Sequence, residues 1–198
     1  MAEPGRAELI HADGEADSMV RRLWLVAAID EIVRRPVFLV GGAAVDLHTG
    51  SYRPTDIDIV GVVTAADRAA LVDAGFTESG GRHLRWDYTG GDFDLVEFPE
   101  STLDGTFERI ALSDTVAVSV IAAESLVIDR INQATDGSQV TFEDAQRLIV
   151  AVADRVDWAA IEHDLRARPD APYLGSVAVA HALLVASGMS EIAEARFS

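Results

Sequence analysis

The sequence predicts an α+β chain whose C-terminal part is entirely helical. Three observations predict it. Over the first ~120 residues, short β-branched apolar runs alternate with segments of helical period. Over the last ~75 residues only the helical period remains. Between two of the apolar runs, Gly41-Gly42 opens a helical stretch, and the next run carries Asp56-Ile57-Asp58.

The elements follow in order. Residues 1–17 are polar and contain Gly and Pro, which reads as a mobile tail. Ser18 is placed to cap a helix to about Arg35, with Met19, Leu23, Val26, Ile29 and Val33 at helical spacing and Pro36 ending it. Val37–Val40 reads as a short buried strand, and the Gly pair turns it into a helix reaching about His48. Asp56–Val62 reads as the central strand. Thr64 and Asp67 form a capping box opening a helix to Ala74. Residues 82–88 and 92–98 read as a hairpin across Thr89-Gly90-Gly91, and 107–112 and 115–121 as two more strands. Helices are expected over Ala122–Gln133, from Thr141 to about Val156, from Asp157 to before Pro169, and over 175–187. The domains are therefore an N-terminal tail (1–17), an α/β core (18–121) and a helical portion (122–198).

Composition narrows the function classes. The chain has 198 residues, a net charge of −17 and no Cys, so disulfides and thiolate zinc sites are excluded. Its 16 basic side chains are all Arg. A high-salt cytoplasm or a GC-rich genome accounts for that usage equally well. Nonspecific nucleic-acid binding needs basic stripes to displace counterions, and only Arg21-Arg22 and Arg34-Arg35 are paired. A nucleic-acid substrate would have to be gripped locally. No apolar run approaches the ~18 residues of a membrane span, and Met1–Arg6 has no signal-peptide pattern. The expected location is the cytoplasm, without membrane association. The five His show no ligand spacing. The partial EF-hand spacing from Asp56 to Asp67 fails, with Val60 at its fifth position and Asp67 at its twelfth.

The carboxylates carry the chemistry. Charged residues in an apolar strand are tolerated when paired or metal-bound. Asp56 and Asp58 share one strand face, about 6.5 Å apart at Cα, where one divalent cation can bridge them. Gly41 and Gly42 offer backbone N–H groups at a helix N-terminus, suited to phosphate oxygens; an ordinary tight turn is the plainer alternative. Arg53 and Thr55 precede the carboxylates. Arg53 can reach a phosphate bidentately or pair with a nearby acid.

This segment, Gly41-Gly42 followed by Arg53-x-Thr55-Asp56-x-Asp58, resembles the nucleotidyltransferase superfamily typified by DNA polymerase β. More specifically it is similar to minimal nucleotidyltransferases and AbiEii-type toxins. The resemblance covers about residues 37–98. It implies the nucleotidyltransferase fold, a small mixed β-sheet flanked by helices and followed by a helical C-terminal portion. It also implies a third carboxylate on a later strand, for which Asp94 is the candidate and Asp92 its rival. Asp56, Asp58 and Asp94 would then hold two Mg2+ ions, with Asp94 accepting the acceptor's proton. Gly41, Gly42, Arg53 and Thr55 would bind the nucleoside triphosphate, which the family uses as substrate. The family often has Ser or Thr after the Gly pair; this chain has Ala43. Glu124-x-Leu126 with Arg130, and Asp144 later, match the outline of the toxins' helical part and would be catalytic there. Asp144 also reads as the capping-box partner of Thr141. The implied reaction moves a nucleoside monophosphate to an RNA, in particular a tRNA 3′ end, or to a protein hydroxyl. A toxin–antitoxin partner protein is implied as well. The alternative is a non-catalytic nucleotide- or partner-binding protein of such a pair.

Overall fold

The computed structural model describes residues 3–50, 54–99, 105–167 and 175–198. The chain divides into two compact units, Met1–Ile121 and Ala122–Ser198. The first is α+β and holds the whole described sheet; the second is helical.

The first unit begins with α1 (Arg6–Gly14) and α2 (Ser18–Val33). Helix α1 lies inside the stretch expected to be a tail. It forms because Leu9 and Ala12 bury against the following segment and the His11 ring stacks on Trp24, with centroids 4.5 Å apart. Asp17, one residue before the expected cap, caps α2 by accepting from Met19 N (2.9 Å) and Val20 N (3.0 Å). Arg34, in the left-handed region at φ +56°, ends it.

The strands are β1 (Phe38–Val40), β2 (Ile57–Val60), β3 (Thr77–Glu78), β4 (His83–Asp87), β5 (Phe93–Glu97), β6 (Phe107–Ala111) and β7 (Ala117–Ile121). Their order in the sheet is β3-β4-β5-β2-β1-β7-β6. Strand β2 pairs antiparallel with β1 and parallel with β5, and β1 pairs parallel with β7. The sheet is thus mixed, as expected. The two-residue β3 at its edge is not visible in the sequence, where Thr77-Glu78 has no apolar alternation.

One face of the sheet is dry. Leu39, Ile57, Ile59, Leu84, Val96 and Val120 are fully buried. At ~25 cal/mol per Å2 of apolar surface, each large aliphatic contributes about 1.5–3 kcal/mol. Helix α3 (Gly41–Thr49) packs on β1 and β2, and α4 (Ala65–Asp73) packs on α2. The Thr64–Asp67 capping box that opens α4 is present. Asp67 also pairs with Arg35, which ties α4 to the end of α2.

The second unit contains α5 (Ala123–Gln133), a 3-10 turn (Ala134–Asp136), α6 (Gln139–Val152), α7 (Trp158–Ala167), α8 (Ser176–Ala186) and α9 (Ser190–Arg196). Helix α6 starts two residues before Thr141, at the Ser138 N-cap. Thr141 therefore sits in its first turn, donating to Asp136 Oδ1 (2.8 Å), and the expected box with Asp144 does not form. Asp157 does cap α7, accepting from Ala159 N at 2.8 Å.

The α4 cap sets a pH dependence. The Thr64 hydroxyl, first, holds the Asp67 carboxyl below its usual range, helped by the Thr64 amide and Arg35. A depressed folded-state pKa means stabilisation that is present above the unfolded value, about 3.9, and lost as pH falls through the folded value. Asp67→Asn should cost about 0.5–2 kcal/mol at pH 7 and flatten the loss of thermal stability on acidification below about pH 5. Melting curves from pH 7 to pH 2.5 on both proteins check it.

Candidate active site

The site is built on one row of residues running across four strands. Val40 on β1 is the register partner of Asp58 on β2, Asp58 of Glu97 on β5, and Glu97 of His83 on β4. Register partners share a sheet face and lie about 5 Å apart. Asp56 lies just before β2, in the bend that leads into it, and its carboxylate comes close to that of Glu97. Burial agrees: Asp56, Asp58, Glu97 and His83 are half-buried, while Ile57 and Ile59 behind them are fully enclosed.

Gly41 is fixed by its neighbour. Its φ of +63° is left-handed, and a Cβ there would lie 1.9 Å from Asp58 Oδ2. The first residue of α3 can therefore only be a glycine, for both backbone and packing reasons. The close approach puts the N-terminus of α3 against the Asp58 carboxylate. Ala43 is fully buried, so it belongs to the core and not to the surface of the turn.

Asp94 lies elsewhere. Its register partner is Trp86, and it sits three residues before Glu97 on the same strand, which places it on the opposite, dry face. It is 2% exposed. Arg22 Nε on α2 donates to Oδ1 (2.9 Å), and the Tyr88 hydroxyl donates to Oδ2 (2.9 Å). Burial first, and the Asp94 charge second, push the Tyr88 hydroxyl well above its ordinary pKa, so it stays protonated and donates. Arg22 also donates to the Pro54 carbonyl (3.2 Å), bracing the segment that leads into Asp56. Asp92 pairs with Arg21 at 3.2 Å on the exposed hairpin, and the Arg21 guanidinium lies over the Tyr88 ring. Both acids expected as candidates for the third position thus have arginine partners from α2.

Glu97 is not among the residues expected from the sequence. Its carboxylate, that of Asp56 and a ring nitrogen of His83 all lie within 4.8 Å of one another. Glu97 accepts from Arg82 at 2.9 Å and faces His83 Nε2 at 3.3 Å. The signal was present: Glu97 is the only other acid in β5, at odd spacing from Asp94. Choosing between the two required the β2–β5 register.

The remaining expected residues have neighbours within their own units. Thr55 is exposed, with its hydroxyl 3.4 Å from Asp56 Oδ1. Arg53 lies outside the described residues. Arg130, on α5, donates to Gln133 at 2.6 Å, and its buried Nε lies 3.8 Å from Asp129 Oδ2 with no hydrogen-bond partner among the described residues. Asp144, on α6, pairs with Arg147 at 2.9 Å.

No family model matches the sequence, and no curated protein matches it. Among solved structures, an antigenic nucleotidyltransferase-like protein from Paracoccidioides brasiliensis superposes with a TM-score of 0.64 at 17% identity, over 92% of this chain and 95% of that one. The antibiotic-resistance factor ANT(2″)-Ia, in complex with adenylyl-2″-tobramycin, gives 0.47 at 16% identity over 78% of this chain and 100% of that one. The architecture and the first of these likenesses establish the fold: the chain adopts the nucleotidyltransferase fold, with a mixed sheet and a helical C-terminal unit.

Proposed function

We propose that the protein is a metal-dependent nucleotidyltransferase whose carboxylates are Asp56, Asp58 and Glu97. It would move a nucleoside monophosphate from a nucleoside triphosphate to a hydroxyl acceptor. The observation that supports this reading is the row Val40–Asp58–Glu97, which ends at the Gly41 turn and has the Asp56 carboxylate close to that of Glu97.

The donor set fits a divalent cation. The Asp56 and Glu97 carboxylates come together with a ring nitrogen of His83 within 4.8 Å, whereas Asp94 is held by Arg22. Asp56, Asp58 and Glu97 would hold the ion, which when bound supplies charge neutralisation at the triphosphate and acidifies the acceptor hydroxyl. The backbone N–H groups at the start of α3 would hold phosphate oxygens, with Gly41 and Gly42 leaving room for them. Arg53 and Thr55 would extend that grip. Glu97 would accept the proton as the acceptor oxygen bonds to the α-phosphorus. The bond from that phosphorus to the bridging oxygen breaks, and pyrophosphate leaves. Asp94 would not take part; with Arg22 and Tyr88 it holds α2 and the β4–β5 hairpin in place. By resemblance, Arg130 would clamp phosphate or acceptor, Asp144 would join it, and the acceptor would be RNA, such as a tRNA 3′ end, or a protein hydroxyl. A cognate antitoxin would be the partner. Incubation with each α-labelled nucleoside triphosphate, Mg2+ or Mn2+, and either total small RNA or a protein extract tests the reaction. Label on one acceptor supports it; no transfer and no nucleotide binding under any combination overturns it.

Two variants separate the two acids of β5. Glu97→Gln should reduce transfer by about 10²-fold or more, the usual worth of a general base, with an unchanged melting temperature. Asp94→Ala strands Arg22, so it should cost about 3–5 kcal/mol of stability while the folded fraction keeps its specific activity. Denaturant titrations beside initial rates read both, and the reverse pattern would restore Asp94 as the base.

A third variant tests the turn. Gly41→Ala should destabilise the protein by at least about 1–2 kcal/mol from the left-handed backbone alone. It should also weaken triphosphate binding as Asp58 is displaced. Calorimetry with a non-hydrolysable nucleotide, run beside thermal melts, checks both effects.

A further inference from the structure

The proposed carboxylate site has a neighbour that a pure oxygen site for Mg2+ would not need. His83 stands across from Glu97 on β4, on the same face, with its Nε2 at 3.3 Å from Glu97 Oε2. Its nitrogen, the Glu97 carboxylate and the Asp56 carboxylate lie mutually within 4.8 Å.

We propose that His83 is a metal ligand alongside Asp56 and Glu97, and that this centre takes a borderline first-row transition ion such as Zn2+ or Co2+ in preference to Mg2+. The inference rests on the reading of Asp56 and Glu97 as metal ligands. Mg2+ selects oxygen donors and keeps much of its water. Imidazole nitrogen instead favours borderline ions. The separation fits as well. Two donors each about 2.0–2.1 Å from a tetrahedral ion stand roughly 3.3 Å apart, and His83 Nε2 lies 3.3 Å from Glu97 Oε2. It is longer than a good N–H···O bond of about 2.9 Å. His83 is one-third exposed and Glu97 less so, leaving the imidazole open to an ion from solvent. Arg82 holds the other oxygen of Glu97 at 2.9 Å and is itself largely exposed. It is a competitor that an arriving cation would displace.

The test measures metal binding without any nucleotide. Zn2+ and Mg2+ are titrated calorimetrically into the wild type, His83→Gln and Arg82→Gln. Co2+ is followed in parallel by its visible absorption. Any carboxylate site prefers Zn2+ to Mg2+, so the deciding readout is the change in preference. His83→Gln should weaken Zn2+ and Co2+ by at least about tenfold, leave Mg2+ within about twofold, and shift the Co2+ spectrum. Arg82→Gln should strengthen both ions. Unchanged Zn2+ affinity in a folded His83→Gln protein, or equal losses for Zn2+ and Mg2+, overturns the inference while leaving the carboxylate reading intact. A wild type that binds neither ion overturns both. Selective loss of Zn2+ in a protein that transfers no nucleotide sustains the metal site and removes the transferase reading.

Discussion

Strand β2 has to be two things at once. It lies mid-sheet, so Ile57 and Ile59 must be dry, yet Asp56 and Asp58 alternate with them and must not be. Covering both faces would strand two carboxylates in a low dielectric, at a cost that no single pairing repays. The fold resolves this by covering one face with helices and leaving the acids half-exposed on the other. The remaining geometry follows from that division. Strand β1 pairs antiparallel with β2 and ends beside Asp58, so α3 must start there, through a residue without a Cβ. Strand β5 pairs parallel and delivers Glu97 to the same row.

The covered face needs its own polar anchor, and Asp94 supplies it. Arg22 and Tyr88 satisfy both of its oxygens, and the same Arg22 reaches Pro54 just before the acids. The helix layer and the open face are thus joined through one guanidinium. Such a cluster is fully satisfied, so it rigidifies the core without leaving an orphaned charge. The α1 segment adds a second tie. Asp13 accepts from the Thr89 amide at 2.6 Å, and the Thr89 hydroxyl and amide hold its carboxyl below the ordinary range. The β4–β5 hairpin is therefore secured from α1 and α2 alike.

Much of this was legible in the residues. The Gly pair and the α4 capping box are local patterns with local causes, and they appear where expected, while the strand expected over Asp56–Val62 is shorter, Ile57–Val60, and leaves Asp56 in the bend before it. The mixed sheet and helical C-terminal portion also match the expected fold. What the residues left open was nonlocal. Asp94 and Glu97 sit three apart on one strand, so only one can face Asp58, and the strand alone does not say which. The register with β2 decides it, and register is a property of two segments. Helix α1 was missed because its apolar positions are few, and its stability comes from packing under His11 and Leu9. The start of α6 was misplaced because Thr141 looks like a cap, while Ser138 occupies that place first.

The central claim is positional: the working carboxylates are on the open face, and Asp94 is not among them. Crystals soaked in Mn2+ with a non-hydrolysable nucleoside triphosphate, measured for anomalous scattering at the manganese edge, test it most directly. The account predicts anomalous density touching Asp56, Asp58 and Glu97, with the phosphates against the start of α3. Density at Asp94, with Arg22 displaced from it, would contradict it.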